Sequence, residues 1–576
     1  MVVTAAWRHD VLTGRTNVIN WDGYGYYVYL PGVFVYGDVT DYAFAEDHFA
    51  TYDVGGDGYQ LNPTDDGGRF PIYNIGLAVV WTPAFLLTHG LTVLLAPELA
   101  DGMSYPYQLM VVLMGLLFAF LGLLYLRRWL ARYFPDAVVA LTVLGVGLGT
   151  NIFYYLVEKP DMTHGYLFAL YAALAYYLDR VADRRATARE LLRLGLLAGL
   201  MCLIRSSEIV LFALPAAYGL RDRLTLGRNF RRTLILFGVA ALVFGVQLLY
   251  YRLATGGWWQ DGYAGLGFDW AAPHLFEGFF SYRRGWLVYT PLMAGALVGL
   301  ALLPRRRPLR PWFLPLLIFL VGNCYLLFSW HIWWYGNTFG SRPVTQSYAL
   351  LALPLAALLA TLWGADAGAG RGRGAGVVRR GVAVLVVVAA TALNLFQHWQ
   401  YNRRILPLDF TNRTYYWHVF GATQLDRRAY VYLDTDEKLP AGPATVTPLV
   451  RIDTTVVVAP HARREFTALH HTWAPASAPE KTSWLRTTLV YSYHGDHYDK
   501  WRFPSVVTEH TRDGEQLRWT QVKIPPAMTN PALDSLTFDL SLGRVGRGER
   551  VKQYVWNLSA DSMTVHALRC EIVIAN

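Results

Sequence analysis

A chain of 576 residues with 54% hydrophobic residues, 16% charged residues and a positive mean hydropathy is too long for one ordinary soluble domain and too poor in charge for a globular protein. Its net charge of +9 does not point to nucleic acid, because the arginines fall in short clusters between apolar runs, the pattern that sets orientation in a bilayer. The three cysteines, Cys202, Cys324 and Cys570, lie far apart with no CxxC pair, so no zinc knuckle or disulfide framework is expected and a single disulfide is left open.

In chain order, Met1 to Asn20 contains Arg8, His9, Asp10 and Arg15 and lacks the apolar core of a signal peptide. Two expectations follow: either the internal helices insert unaided, or the chain begins downstream of a further helix. Next comes Asn20-Trp21-Asp22-Gly23-Tyr24-Gly25-Tyr26-Tyr27-Val28-Tyr29-Leu30-Pro31, which sets one carboxylate among five aromatic side chains. A carboxylate desolvated beside flat rings can act as a general base toward a sugar, whereas an aromatic belt with Asp22 as a helix cap is the plainer alternative. Tyr36 to Arg69 is rich in acids, from Asp38 to Asp66, and interrupted by paired glycines, so it is expected to be an extramembrane loop. Those acids could hold a divalent cation, although no Asp-x-Asp pair is present. Ile72 to Ala96 is apolar but carries Pro83, His89 and Gly90, which predicts two half-helices along the membrane surface.

Spanning segments are then expected at Tyr105–Leu126, Ala137–Val157, Met162–Val181, Leu191–Ile204, Ile209–Leu220, Leu234–Leu253, Trp286–Leu303, Trp312–Trp330, Val344–Trp363 and Val377–Phe396. A crossing takes about 20 residues, so the fourth and fifth, parted by Arg205-Ser206-Ser207-Glu208, are short. Arginines gather after every second segment, at 127–132, 180–193, 221–232, 305–310 and 371–380, and those loops are read as cytoplasmic. The intervening loops, including Glu158–Thr163, Gly256–Arg284 and His331–Arg342, then face outward, together with the Asp22 loop if Ile72–Ala96 does not cross.

Beyond Asn394 the apolar pattern changes to alternation, with strands expected at Thr454–Ala459, Leu485–Tyr493, Leu517–Ile524, Ser535–Leu542 and Val565–Ile574. The predicted division is an N-terminal segment and first outer loop over 1–71, a membrane domain over 72–397, a linker over 398–445 and a β-sandwich over 446–576. The fold class is therefore a mostly α polytopic membrane protein of about ten spans plus interfacial helices, followed by a C-terminal β-sandwich.

Three further stretches carry candidate chemistry. Arg69-Phe70-Pro71-Ile72-Tyr73-Asn74 puts a cation at the membrane surface, suited to a lipid phosphate or simply snorkelling. Glu158-Lys159-Pro160-Asp161-Met162-Thr163-His164 brings acid, base and cation together, with helix capping by Asp161 as the alternative. His331-Ile332-Trp333-Trp334-Tyr335-Gly336-Asn337-Thr338-Phe339-Gly340-Ser341-Arg342 mixes polar residues into an aromatic run, where Arg342 can grip a phosphate at two points and His331 and Trp334 can line a sugar pocket. No HExxH, P-loop, GxSxG or dinucleotide fingerprint appears in a fitting context.

With these motifs in place, the stretch from about Asn20 to Arg404 resembles the GT-C-type polytopic membrane glycosyltransferases, the superfamily of protein O-mannosyltransferases and aminoarabinose transferases, in an uncharacterised bacterial branch. The stretches that carry the resemblance are WDGYGYYVYLP, RFPIYNIGLAVVWTP, EKPDMTH and HIWWYGNTFGSR. It implies an inverting enzyme of the bacterial cytoplasmic membrane that uses a polyprenyl-phosphate sugar donor and a glycan, lipid or protein acceptor, with the active site and the sandwich facing the periplasm. Asp22 matches the family's acidic base; Arg69 resembles its cation before a proline, usually a lysine, and Arg342 its phosphate-binding arginine. Tyr26, Tyr27, Asp38, Arg69, Lys159, His164, His331, Trp334 and Arg342 are the expected substrate-binding residues. No cofactor is expected to be required, and a divalent metal stays open. The alternative reading is a lipid or glycan transporter with an outer carbohydrate-recognition domain.

Overall fold

A computed structural model describes residues 4, 9, 16–65, 67–181, 186–220, 223–263, 265–364, 373–407, 409–425, 427–435, 437, 439–440, 442–460, 470–474, 482–493, 503–524, 534–546, 548–559 and 561–575. The chain forms two compact units, Met1–Trp399 and Gln400–Asn576. The first is helical, and six of its described helices are long and apolar enough to cross a membrane: Gly76–Leu95, Tyr105–Leu130, Thr225–Thr255, Arg310–Phe328, Arg342–Trp363 and Gly376–Asn402. Arg342–Trp363 is buried over nearly its whole surface and forms the centre, whereas Leu242, Leu253, Leu385 and Val388 on the outer helices point apolar side chains outward.

Other expected spans are helical but shorter. Asp136–Leu148 stops at Gly149, and the chain resumes as Ile152–Val157. Ala188–Ile204 gives way at Arg205 to the tight turns of Ser206–Phe212. Breaks of this kind at membrane depth are tolerated where protein covers the freed backbone.

The acidic first loop is a folded module. Short helices at Asp22–Tyr27 and Ala45–Thr51 and an antiparallel hairpin, β1 (Leu61–Pro63) with β2 (Arg69–Pro71), surround a core that includes Tyr24, Tyr27, Tyr29 and Phe44. Gly76–Leu95 is one continuous helix, which corrects the expected pair of half-helices. Pro83 removes one backbone donor, but Trp81 and Phe85 on either side of it are fully buried beside Tyr27 and hold the helix through. Its flanks are tied close together: the Tyr29 hydroxyl donates to the Tyr73 carbonyl at 2.5 Å and the Tyr27 hydroxyl to the Gly102 carbonyl at 2.6 Å. Two tyrosines two residues apart bridge at most about 25 Å, so the chain before and after this helix is brought back close together.

The second unit opens with the helix Arg413–Val419, capped by the Asn412 side chain on the Tyr415 N–H at 2.9 Å. Among the described residues nine strands follow: β3 (Ala444–Ile452), β4 (Val456–Val458), β5 (His470–Trp473), β6 (Ser483–Tyr493), β7 (Ser505–Arg512), β8 (Glu515–Lys523), β9 (Asp534–Gly543), β10 (Glu549–Trp556) and β11 (Met563–Ala575). They make two antiparallel sheets, ordered β5-β10-β7-β8 and β3-β11-β6-β9 with β4 beside β11. Leu485, Leu489, Val506, Phe538, Val551 and Leu568 meet between the sheets in one core, which makes a β-sandwich. Asp513-Gly514 turns β7 into β8 with positive φ at both residues, the geometry of a two-residue hairpin. All three cysteines are free and buried.

Candidate active site

Asp22 is aimed by a strained turn. Trp21 adopts a φ of 49°, rare for a side-chain-bearing residue, and its N–H donates to the Val54 carbonyl at 2.7 Å. The following helix begins at Asp22, whose carboxylate accepts from Arg342 Nη1 at 2.7 Å on one oxygen and from the Tyr59 hydroxyl at 2.5 Å on the other. Each side chain of the Asp22–Arg342 pair is 19% exposed, so the pair sits at the edge of solvent rather than within the core. Burial pushes the Asp22 carboxyl up, but the Arg342 guanidinium and the Tyr59 and Tyr73 hydroxyls outweigh it and hold Asp22 below the ordinary carboxylate range.

Arg342 is positioned from beneath. Asn151, fully buried at the break after Asp136–Leu148, donates to the Phe339 carbonyl at 3.0 Å and to the Ser341 carbonyl at 3.4 Å. Its own oxygen accepts from Thr290 at 3.0 Å and Tyr348 at 2.8 Å. One amide thus clamps the loop that delivers the arginine to three helical segments.

Lys159 reaches the same place, with Nζ donating to Asn20 Oδ1 at 2.9 Å and lying 4.0 Å from Asp161 Oδ2. Asp161 is fully buried, and neither carboxylate oxygen has a hydrogen-bond partner. Burial pushes it up to about 6 against the pull of Lys159. Gly23 lies directly on it, since a Cβ there would overlap the Asp161 carboxylate. Sequence reasoning leaves Asp161 between membership of an acid, base and cation run and a helix cap; its place beside Asp22 makes it part of the cluster.

Of the expected substrate-binding residues, Lys159 and Arg342 join Asp22. Tyr26 is close by, stacked on Tyr73 at 4.4 Å, and Tyr73 meets Tyr263 edge to face at 6.3 Å. His164 lies deeper, bonded through Nδ1 to Gln346 at 3.0 Å. Three other expected residues have partners of their own. Tyr27 is a core residue packed on Trp81 and Phe85, because its hydroxyl is consumed by the Gly102 carbonyl. Asp38 closes a turn, accepting from the backbone N–H groups of residues 40 to 43, the usual work of an aspartate in a loop. Arg69 is drawn to an acid of its own loop, Glu46, at 2.8 Å, on the exposed side of the hairpin. His331 and Trp334 stand on the loop after Arg310–Phe328 with other partners: His331 is 3.3 Å from Asp269, and the Trp334 ring lies under the Arg283 guanidinium at 3.6 Å.

Tyr59, Tyr263 and Asn151 are contributors outside the motifs, and Tyr73 lies in the Arg69–Asn74 stretch without being singled out there. Only Asn151 leaves a trace, as a polar residue inside an apolar run.

By sequence, the chain matches no protein-family model and no curated protein. Among solved structures it is similar to the Archaeoglobus fulgidus oligosaccharyltransferase in its apo form, at 13% identity and a TM-score of 0.40, over 76% of this chain and 60% of that one. The same enzyme in complex with Zn and sulfate gives 13% identity and a TM-score of 0.39, over 77% of this chain and 57% of that one. Arabinosyltransferase EmbB from Mycobacterium smegmatis gives 12% identity and a TM-score of 0.32, over 99% of this chain and 64% of that one. The chain therefore spans less than two thirds of the length of each. At these identities and TM-scores the likeness is too distant to carry a reaction across.

Proposed function

We propose that the chain is an inverting membrane glycosyltransferase that moves a sugar from a polyprenyl-phosphate donor to a glycan, lipid or protein acceptor at the outer face of the bacterial cytoplasmic membrane. The observation that carries this reading is the convergence of Asp22, Lys159, Asp161 and Arg342, from three distant stretches of chain, beside a stack of tyrosines.

In this reaction the acceptor hydroxyl or amine gives its proton to Asp22 as its lone pair bonds to the anomeric carbon. The bond from that carbon to the phosphate oxygen breaks, and its electron pair leaves with the phosphate. Arg342 spends one N–H on Asp22 and keeps other donors of its fork for the phosphate. Engaging the phosphate weakens its hold on Asp22, which makes the carboxylate a stronger base when the acceptor is in place. Lys159 adds positive charge on the side of Asn20.

Sugar transfer from labelled polyprenyl-phosphate donor in proteoliposomes tests the assignment. Asp22→Asn is expected to lower turnover about 10³-fold or more while the protein stays folded. Retained turnover in that variant would overturn the role of Asp22.

A further inference from the structure

Glu208 is an ionisable group that the reaction above does not use. It is 2% exposed, in the tight turns of Ser206–Phe212 where the Ala188–Ile204 helix breaks. A carboxylate buried among apolar helices is destabilising unless its oxygens are satisfied, and both are. The Tyr171 hydroxyl donates to Oε2 at 2.5 Å and the Gln346 amide to Oε1 at 3.0 Å. The orientation of Gln346 follows from that contact. An ionised carboxylate only accepts, so the amide turns its nitrogen to Glu208 and its oxygen to His164 Nδ1, 3.0 Å away. An amide oxygen also only accepts, so Nδ1 carries the hydrogen, and a neutral His164 keeps its lone pair on Nε2.

This chain of contacts joins elements that carry the site. Gln346 belongs to the same turn as Arg342, Arg342–Ser347. His164 and Tyr171 lie about two turns apart on one face of Thr163–Val181, the helix that starts just after Lys159 and Asp161. The Arg342 turn is of the 3₁₀ kind, whose backbone hydrogen bonds are poorly aligned, and side chains support it instead. Thr345 Oγ1 donates to the Arg342 carbonyl at 2.8 Å, and Ser347 Oγ to the Val344 carbonyl at 2.6 Å. Asn151 holds the chain just before Arg342, through the Phe339 and Ser341 carbonyls. The Glu208–Gln346 contact holds it just after. All of these residues are buried, so water does not compete for the contacts that set the turn.

We propose that Glu208 is a positioning residue for Arg342: it fixes the Gln346 amide, and with it the turn that aims the guanidinium at Asp22, and it holds His164 as the Nδ1–H tautomer. The effect on rate rests on the glycosyltransferase reading above. The tautomer follows from the contacts alone.

Two measurements on the full chain in lipid test it. Nitrogen-15 labelling of histidine reads the tautomer by NMR in nanodiscs, with His164→Gln assigning the resonance, and transfer from labelled polyprenyl-phosphate donor reads the rate. In Glu208→Gln the new amide can donate to the Gln346 oxygen, Gln346 turns over, and His164 is expected to become a mixture of tautomers. Transfer should then slow about ten- to a hundredfold, because Arg342 is no longer held in line. Gln346→Glu alone sets two carboxylates face to face and should slow transfer as much. The exchanged pair, Glu208→Gln with Gln346→Glu, restores each hydrogen bond with carboxylate and amide swapped. It is expected to keep the hydrogen on Nδ1 and to recover most of the rate, which a role in filling space alone does not predict. An unchanged tautomer and rate in Glu208→Gln, or an exchanged pair as slow as the single variants, overturns the proposal. Should Glu208→Gln not fold, the exchanged pair decides by the same two readings. Absence of transfer by the parent protein overturns the glycosyltransferase reading instead, and the tautomer of Glu208→Gln then decides whether Glu208 fixes Gln346.

Discussion

Asp22 and Asp161 are neighbouring carboxylates driven in opposite directions by their surroundings. Asp22 is buried but held ionised by Arg342 and tyrosine hydroxyls, whereas Asp161 is buried without a hydrogen-bond donor and sits at about 6. Above that value the Asp161 charge opposes the ionisation of Asp22 and strengthens it as a base. The transfer rate is therefore expected to fall as the pH drops through about 6, and Asp161→Asn should remove that inflection. Stability follows the opposite sign. A carboxyl raised in the folded state favours folding at low pH and loses that contribution as the pH rises through about 6. Asp161→Asn should thus be more stable than the parent by roughly 2–3 kcal/mol at pH 7 to 8, with the gain gone below about pH 4, as read from unfolding at several pH values. Asp22, Lys159 and Arg342 are legible in the sequence because charge amid aromatic and apolar residues is conspicuous. Tyr59 is not, since nothing in a glycine-rich loop says that it will meet a carboxylate 37 positions earlier.

At the scale of elements, the site depends on backbones that approach without side chains between them. Gly76 is such a point, where the start of one helix rests on the end of another. Gly76→Ala is expected to cost about 1–3 kcal/mol and to lower transfer activity, because main chain cannot yield as a side-chain tip can. Gly90→Ala, in the same helix with open space around it, should be neutral or slightly stabilising. Thermal unfolding of the two variants in nanodiscs separates these outcomes, and equal effects would count against the packing account. Element types were largely readable from hydrophobic period, and their continuity was not. Pro83 predicts a break that buried Trp81 and Phe85 prevent. In the sandwich, β7 and β10 escape notice because Glu509, His510 and Arg512, like Lys552 and Gln553, dilute the alternation.

At the scale of the whole molecule, the arginine clusters are the signal for membrane orientation, and the orientation they predict can be tested. Because Cys202, Cys324 and Cys570 are buried, single added thiols can be read against a quiet background. Leu226→Cys, beside the 221–232 arginine cluster, is expected to react with a membrane-impermeant maleimide only from the cytoplasmic side. Trp258→Cys in the Gly256–Arg284 loop should react only from outside. Reaction of Leu226→Cys only from outside and of Trp258→Cys only from the cytoplasmic side would reverse the topology and remove the outer-face assignment of the site.

By itself the sequence determined that this is a polytopic membrane protein with a β-rich tail and that charged loops between its apolar segments hold Asp22, Lys159 and Arg342. Composition and period report how each segment meets lipid or water, and those are local properties. Only the tertiary structure decided that Arg69 turns to Glu46 and that Asp161 lies under Gly23. Each of these is set by which distant backbones come close enough to satisfy or strand a charge. Spacing along the chain carries no record of that.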